Sequence, residues 1–206
     1  PRARHDALAA DHAALVDAFT RLAEATGEAR WIGEAMAVAD VLLDHFWDPD
    51  HGGVFTTPDD GEALVTRQKD LFDNATPAAN SLAAVSLLRL AALTGEARYE
   101  NHAHRILQLV GAVLDQAPGA FSHALSAVAL QLGGITEVAV VGDRRDLVAA
   151  VQETWRPEVV LAWGEPYDSP LWQLRDDGFA YVCRHYACQA PQDTPDGLRA
   201  QLAASV

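Results

Sequence analysis

A ten-residue segment occurs twice in this chain, and it limits the folds open to it. Leu22-Ala23-Glu24-Ala25-Thr26-Gly27-Glu28-Ala29-Arg30-Trp31 returns as Leu90-Ala91-Ala92-Leu93-Thr94-Gly95-Glu96-Ala97-Arg98-Tyr99, at an offset of 68 residues. Arg21 matches Arg89 and Ala35 matches Ala103 at the same offset. Each copy reads as helix, tight turn, helix. Before the first turn, Leu15, Phe19 and Leu22 recur at helical spacing and predict an inward face. After it, a helix over about Arg30–Phe46 directs Ile32, Ala35, Met36, Ala39, Leu42, Leu43 and Phe46 inward. In the second copy Leu82, Val85, Leu88 and Leu93 share one side, and Ile106, Leu107, Val110 and Leu114 continue beyond Gly95. Glycine enters the left-handed region that ends a helix at low steric cost. A two-helix hairpin cannot bury its apolar face alone, so repeated hairpins favour a solenoid or a closed toroid.

The segment between the copies, Asp48 to Thr76, is long for a compact domain, and loops of that length are often functional. Gly52-Gly53-Val54-Phe55-Thr56 predicts a turn and a short strand. Thr76-Pro77 suits a helix start. A fifth helix is expected over about Gly119–Leu132. The pattern then changes. Glu137-Val138-Ala139-Val140-Val141-Gly142-Asp143 reads as a buried strand. A helix over about Arg144–Trp155, strands at Val159–Ala162 and Phe179–Cys183, and a terminal helix after Pro195 complete a small α/β unit. The expected division is residues 1–134, helical hairpins, and 135–206, the α/β segment.

Composition narrows the partners. The net charge of −14 repels phosphate backbones and anionic membranes, so neither nucleic acid nor membrane is expected. No apolar run approaches the ~20 residues of a bilayer span. Pro1 to Asp6 is polar and basic, and nothing there reads as a signal peptide. The chain begins without Met, which points to sequence upstream. Two cysteines, Cys183 and Cys188, are too few for a disulfide-stapled secreted fold, so buried thiols and a cytoplasmic setting are expected. Cys183, His185 and Cys188 do not supply the four ligands a structural zinc takes, so no metal is expected. Val141-Gly142-Asp143 lacks the flanking glycines of a dinucleotide or phosphate loop, and no cofactor follows from it.

The hairpin pattern, with Gly52-Gly53-Val54-Phe55, Arg67-Gln68-Lys69-Asp70, Asp73-Asn74-Ala75-Thr76-Pro77 and Asn80-Ser81, resembles one family. It is similar to the C-terminal part of thioredoxin-domain-containing proteins of the spermatogenesis-associated protein 20 type. Val138 to Gly142, Ala180-Tyr181-Val182-Cys183-Arg184, Cys188 and Pro191 are similar to that family's closing segment. The resemblance implies a mainly α fold: part of an (α/α)6 toroid, related to six-hairpin glycosidases and N-acylglucosamine 2-epimerases, with a small C-terminal α/β unit. It also implies an upstream thioredoxin-like domain. Five predicted helices cannot close a twelve-helix ring, so the remaining hairpins would lie upstream. The family's Pro-Ser-Gly-Asn-Ser pattern reads Pro77-Ala78-Ala79-Asn80-Ser81 here.

These readings converge on a small-molecule carbohydrate, bound or modified in a central cavity beside the long loop. Asp73, Asp70 and His12 are the candidate acid–base groups. Arg67, Lys69, Asn74, Asn80, Asp11 and Trp47 are the candidate binding groups. Asp11-His12-Ala13 stands at the repeat position of Ala79-Asn80-Ser81, and His12 replaces the Tyr of the family's Asp-Tyr-Ala. The structural alternative is that Asp73 and Asn74 cap a helix and Arg67 pairs with Asp70. A further alternative is a non-catalytic scaffold serving a redox-active thioredoxin-like domain.

Overall fold

A computed structural model describes residues 6–62 and 65–204. The basic start of the chain, apart from Asp6, therefore lies outside the described residues.

Both repeat copies form helical hairpins. α1 (Ala9–Thr26) and α2 (Arg30–His45) make the first, and α3 (Ala79–Thr94) and α4 (Ala97–Leu114) the second. The two turns are built alike. Gly27 and Gly95 take φ of 71° and 81°, and their N–H groups close on Ala23 and Ala91. Thr26 and Thr94 hydroxyls donate back to Leu22 and Leu90. α5 (Ser122–Gly133) follows a 3-10 turn at Pro118–Phe121.

α3 lies at the centre, packed against α1, α4 and α5. The expectation of a one-sided α3 is corrected, because fifteen of its sixteen residues are buried. Its sequence is apolar almost all round, which suits a helix with neighbours on every side. The expected face of α1 is also corrected. Leu15 and Leu22 are 43% and 37% exposed, while Ala9, Ala13, Val16, Thr20 and Ala23 point inward. Small side chains let a neighbouring helix approach closely, and the larger residues are left on the outer flank. Phe19 stacks on Trp31 there. The predicted strand at Val54 shrinks to a single bridge with Trp47.

The α/β unit comprises β1 (Thr136–Val140), α6 (Arg145–Gln152), β2 (Val159–Trp163), β3 (Ala180–Arg184), β4 (Ala187–Cys188) and α7 (Pro195–Ala204). Sheet order is β2-β1-β3-β4, with β1 parallel to β2 and antiparallel to β3. Alternation sets its two faces. Val138, Val140, Leu161 and Val182 pack under α6 and α7 with Leu147 and Leu198. Ala139 and Ala162 face the other way, with Leu171. That face rests on the ends of α1 and α3. The Glu165 N–H donates to the Gly27 carbonyl, and the Ser169 hydroxyl to that of Leu93. Arg89 of α3 is fully buried at this junction.

Cys183 and Cys188 are joined in a disulfide, which corrects the expectation of two buried thiols. His185 and Tyr186, both at positive φ, form the two-residue turn between β3 and β4 and set Cys183 opposite Cys188. The Cys-x4-Cys spacing is that of a directly opposed pair across such a turn. Cys183 is buried and Cys188 exposed. No helix among the described residues is long and apolar enough to cross a membrane.

Candidate functional site

Because the sheet covers the ends of α1 and α3, the starts of the parallel helices α1, α3 and α5 are left at the opposite end. The long loop lies across these starts. The Ala9 N–H donates to Thr56, the Thr56 N–H to Gln68, and the Asp73 N–H to Ala120. Three side chains fix the loop.

Asn80, in the first turn of α3, is fully buried. Its Oδ1 accepts from the Val54 N–H at 2.7 Å, and its Nδ2 donates to the Val54 and Asp70 carbonyls at 3.0 and 2.8 Å. Asp73 joins two helix starts: one oxygen accepts from the Ala78 N–H at 2.8 Å, the other from those of His123 and Ala124 at 2.7 and 3.2 Å. Burial opposes its charge, but the N–H groups of Ala78, His123 and Ala124 outweigh it and hold the carboxyl below its ordinary range. Lys69 donates at 2.6 Å to both the Asp48 carboxylate and the Gly52 carbonyl. The other Asp48 oxygen accepts from the N–H groups of Asp50 and His51. Lys69 above all, helped by these N–H groups, holds the Asp48 carboxyl well below the usual carboxylate range.

Arg67 donates to the carbonyls of Thr57 and His45 and lies 4.3 Å from the Phe55 ring centre. Carbonyls therefore take the place of the expected Asp70 partner. Asp70 itself is exposed, and its main-chain carbonyl serves Asn80. Asn74 is exposed and donates to the Phe72 carbonyl. Asp11 accepts from the Leu8 N–H at 2.8 Å and places an acid in the first turn of α1, where it suits the helix dipole. His12 is half-buried, with Nδ1 3.0 Å from the Leu8 carbonyl and its ring 4.9 Å from Phe46. Trp47 turns to α4, edge-on to His102 and under Arg105.

The structure thus gathers Arg67, Lys69 and Asn80 around Val54 and Phe55, places Asp73 between α3 and α5, and sets Asp11 and His12 at α1. Asp48, absent from the sequence-based candidates, is the buried partner of Lys69. Its signal was its place at the start of the glycine turn, where an acid accepts from the following N–H groups. His45, Asp59 and Asp60 are the described group able to offer three metal-ligand atoms within 4.8 Å. Their side chains are largely exposed.

The Asp48 pair makes an acid-sensitive lash. A depressed carboxyl contributes stability above its unfolded pKa of about 3.9 and loses it as pH falls further. Hydrogen exchange at Asp50, His51 and Gly52 is therefore expected to quicken selectively below about pH 4. In Lys69→Met the exchange is expected to be fast at neutral pH and less acid-dependent. An unchanged acid profile in that variant would refute the assignment.

Residues 10–130 match the N-acylglucosamine 2-epimerase (GlcNAc 2-epimerase) family. The chain is 31% identical over 209 residues to spermatogenesis-associated protein 20 of Homo sapiens, covering 93% of this chain and 27% of that protein. The Rattus norvegicus protein of the same name is 29% identical, with 26% of its length covered. The chain thus spans about a quarter of the length of these curated relatives. The resemblance seen in Arg67 to Ser81 and in the closing segment holds across the chain. The family match takes in both hairpins, the loop between them and most of α5, and the chain belongs to the N-acylglucosamine 2-epimerase family.

Proposed function

We propose that this chain is one arc of a carbohydrate-handling α/α ring, and that the end carrying the starts of α1, α3 and α5 forms part of a sugar-binding wall. One observation carries the reading: the span matched by the epimerase family is the set of hairpins whose parallel starts meet under the long loop. Sugar recognition needs polar groups on a rigid support. Asn80, Lys69, Arg67 and Asp73 provide the support. Asp70 and Asn74 are exposed on it, and Phe72, 52% exposed and tilted against Phe121, offers a flat apolar surface to a sugar ring. Asp70 and His12 are the proposed acid–base groups, and Asp73 ties together the starts of α3 and α5.

Leu15 and Leu22 on one flank and Leu125 and Leu132 on the other are exposed. They suit neighbouring hairpins, which the longer protein would supply upstream together with a thioredoxin-like domain. The proposed setting is the cytoplasm, where the Cys183–Cys188 disulfide would be a transient, redox-sensitive bond rather than a permanent staple.

Calorimetric titration of the full-length protein with N-acetylglucosamine, its C2 epimer and a panel of disaccharides tests the proposal. Saturable binding is expected, at least tenfold weaker in Asp70→Ala and Phe72→Ala. No heat from any sugar at millimolar concentration would remove it. The second reading, a non-catalytic scaffold, is favoured by the engagement of both Asp73 oxygens with backbone N–H groups. A scaffold would keep its function in Asp70→Ala and His12→Ala.

A further inference from the structure

A cavity of about 180 Å³ lies at the opposite end from the sugar wall, between the ends of α3 and α5, the start of α4, β1 and the β3–β4 turn. Leu88, Leu130 and Ile135 supply apolar lining, and Glu96, Glu100 and Glu137 supply carboxylates. No lysine or arginine stands among its described lining residues; the other ionisable side chains there are His104, His185 and Tyr186.

Glu137 is the unusual member. It sits within β1 and is 4% exposed, between Thr136 and the core residue Val138. A carboxylate taken out of water is costly unless a positive charge or donors compensate it. Here the Tyr186 N–H donates to Oε2 at 3.1 Å. Burial pushes the carboxyl above its ordinary range despite that help. His185 and, more weakly, Arg175 also favour its charge, and Arg175 is itself engaged with the Leu171 carbonyl and the Cys188 sulfur. Glu100 lies 3.8 Å from His104, and Glu96 lies 3.6 Å from Arg98. Glu137 therefore has backbone donors and feels the charges of His185 and Arg175, but it forms no salt bridge among the described residues.

We propose that this cavity binds a small organic cation, an alkylammonium group, with Glu137 as its counter-ion. The surroundings suit that charge in three ways. The carboxyl ends of α3 and α5 carry partial negative charge, two such ends against the one partly positive start of α4. The Tyr186 ring, fixed by its hydroxyl on the Ala91 carbonyl at 2.8 Å, walls the cavity and can stack against a cation. The apolar lining takes the alkyl chain. A cavity of about 150 Å³ accommodates benzene, so the ligand has on the order of six heavy atoms. The chain's charge of −14 draws cations toward it at long range. A role for Glu137 confined to holding the turn through the Tyr186 N–H needs an acceptor there but no charge, and this separates the two readings.

Ligand-detected saturation-transfer NMR on the full-length protein, with n-butylammonium and its neutral analogue 1-butanol, is the test. Saturable transfer to n-butylammonium is expected, at least tenfold weaker in Glu137→Gln, which keeps an acceptor for the Tyr186 N–H. Ala97→Phe, at the exposed first position of α4, should block the cavity to the same extent without entering the core. Circular dichroism checks that both variants are folded. Equal transfer to 1-butanol would overturn the proposal, as would undiminished butylammonium binding in Glu137→Gln or Ala97→Phe, or no transfer at all. N-acetylglucosamine should not compete, so failure here leaves the sugar-wall reading untouched.

Discussion

Arg89→Met is expected to destabilise the protein by about 3–5 kcal/mol, the cost of leaving a buried charge without its partner. The Arg89 side chain is 1% exposed, and its Nη2 lies 2.7 and 2.8 Å from the two Glu24 oxygens. Its Nη1 donates to the carbonyls of Pro157 and Val159 at 2.9 and 3.1 Å. Glu24 in turn accepts from the Leu161 N–H, and its own carbonyl accepts from the Trp163 indole. One guanidinium therefore joins α1, α3 and β2. Burial alone would lower the affinity of Arg89 for its proton, and Glu24 works against that. The methionine variant keeps the volume and removes the charge, so Glu24 and two carbonyls lose their donor together. Urea unfolding measures the loss. Glu24→Gln combined with Arg89→Met should recover a substantial part, because the stranded carboxylate is gone. A single-variant cost below about 1 kcal/mol, typical of an exposed pair, would sink the assignment.

That junction shows where sequence reasoning stops. The repeat places Arg21 and Arg89 at equivalent positions, and nothing local distinguishes them. Arg21 is a surface residue, near Asp17 and Glu24. Arg89 is buried because a sheet formed some seventy residues later lands on the end of α3. The paired turns at Gly27 and Gly95 are local events of backbone conformation and hydroxyl bonding, and they were legible. So were three of the four strands of the α/β unit, whose apolar runs leave few alternatives; the two-residue β4 has no such run. Leu15 and Leu22 misled because hydrophobic size is a poor guide to direction when a helix packs through alanines. α3 misled for the opposite reason, since a helix apolar all round has no face to read. The disulfide was visible only to a reader who placed a two-residue turn at His185–Tyr186, which requires two non-glycine residues at positive φ. At the candidate site the residue types were legible, but whether each side chain addresses solvent or backbone depends on how the loop crosses the helix starts.

Asn80 decides that question for the loop, and Asn80→Ala is expected to cost about 2–4 kcal/mol, since buried partners left unpaired cost about 1–3 kcal/mol each and part of the deficit relaxes. All three of its hydrogen bonds run to main-chain groups of the loop, two to Val54 and one to Asp70. Asn80→Asp should be no milder. It keeps an acceptor for the Val54 N–H but turns a carboxylate oxygen toward two carbonyls. Gly53→Ala attacks the same contact from the other side. A Cβ there would stand 2.8 Å from Asn80 Oδ1 and 2.9 Å from Leu109 Cδ2, at a φ of 77° that side chains rarely adopt. Thermal unfolding gives the stability change, and exchange at the Val54 amide reports whether the loop has lifted. Loss of the loop should also abolish the proposed sugar binding more completely than Asp70→Ala, because the loop carries Asp70 and the Phe72 surface together. An Asn80→Ala protein of undiminished stability with a protected Val54 amide would show that the loop is held elsewhere, and the rigid support that the proposed sugar wall needs would have to be sought outside α3.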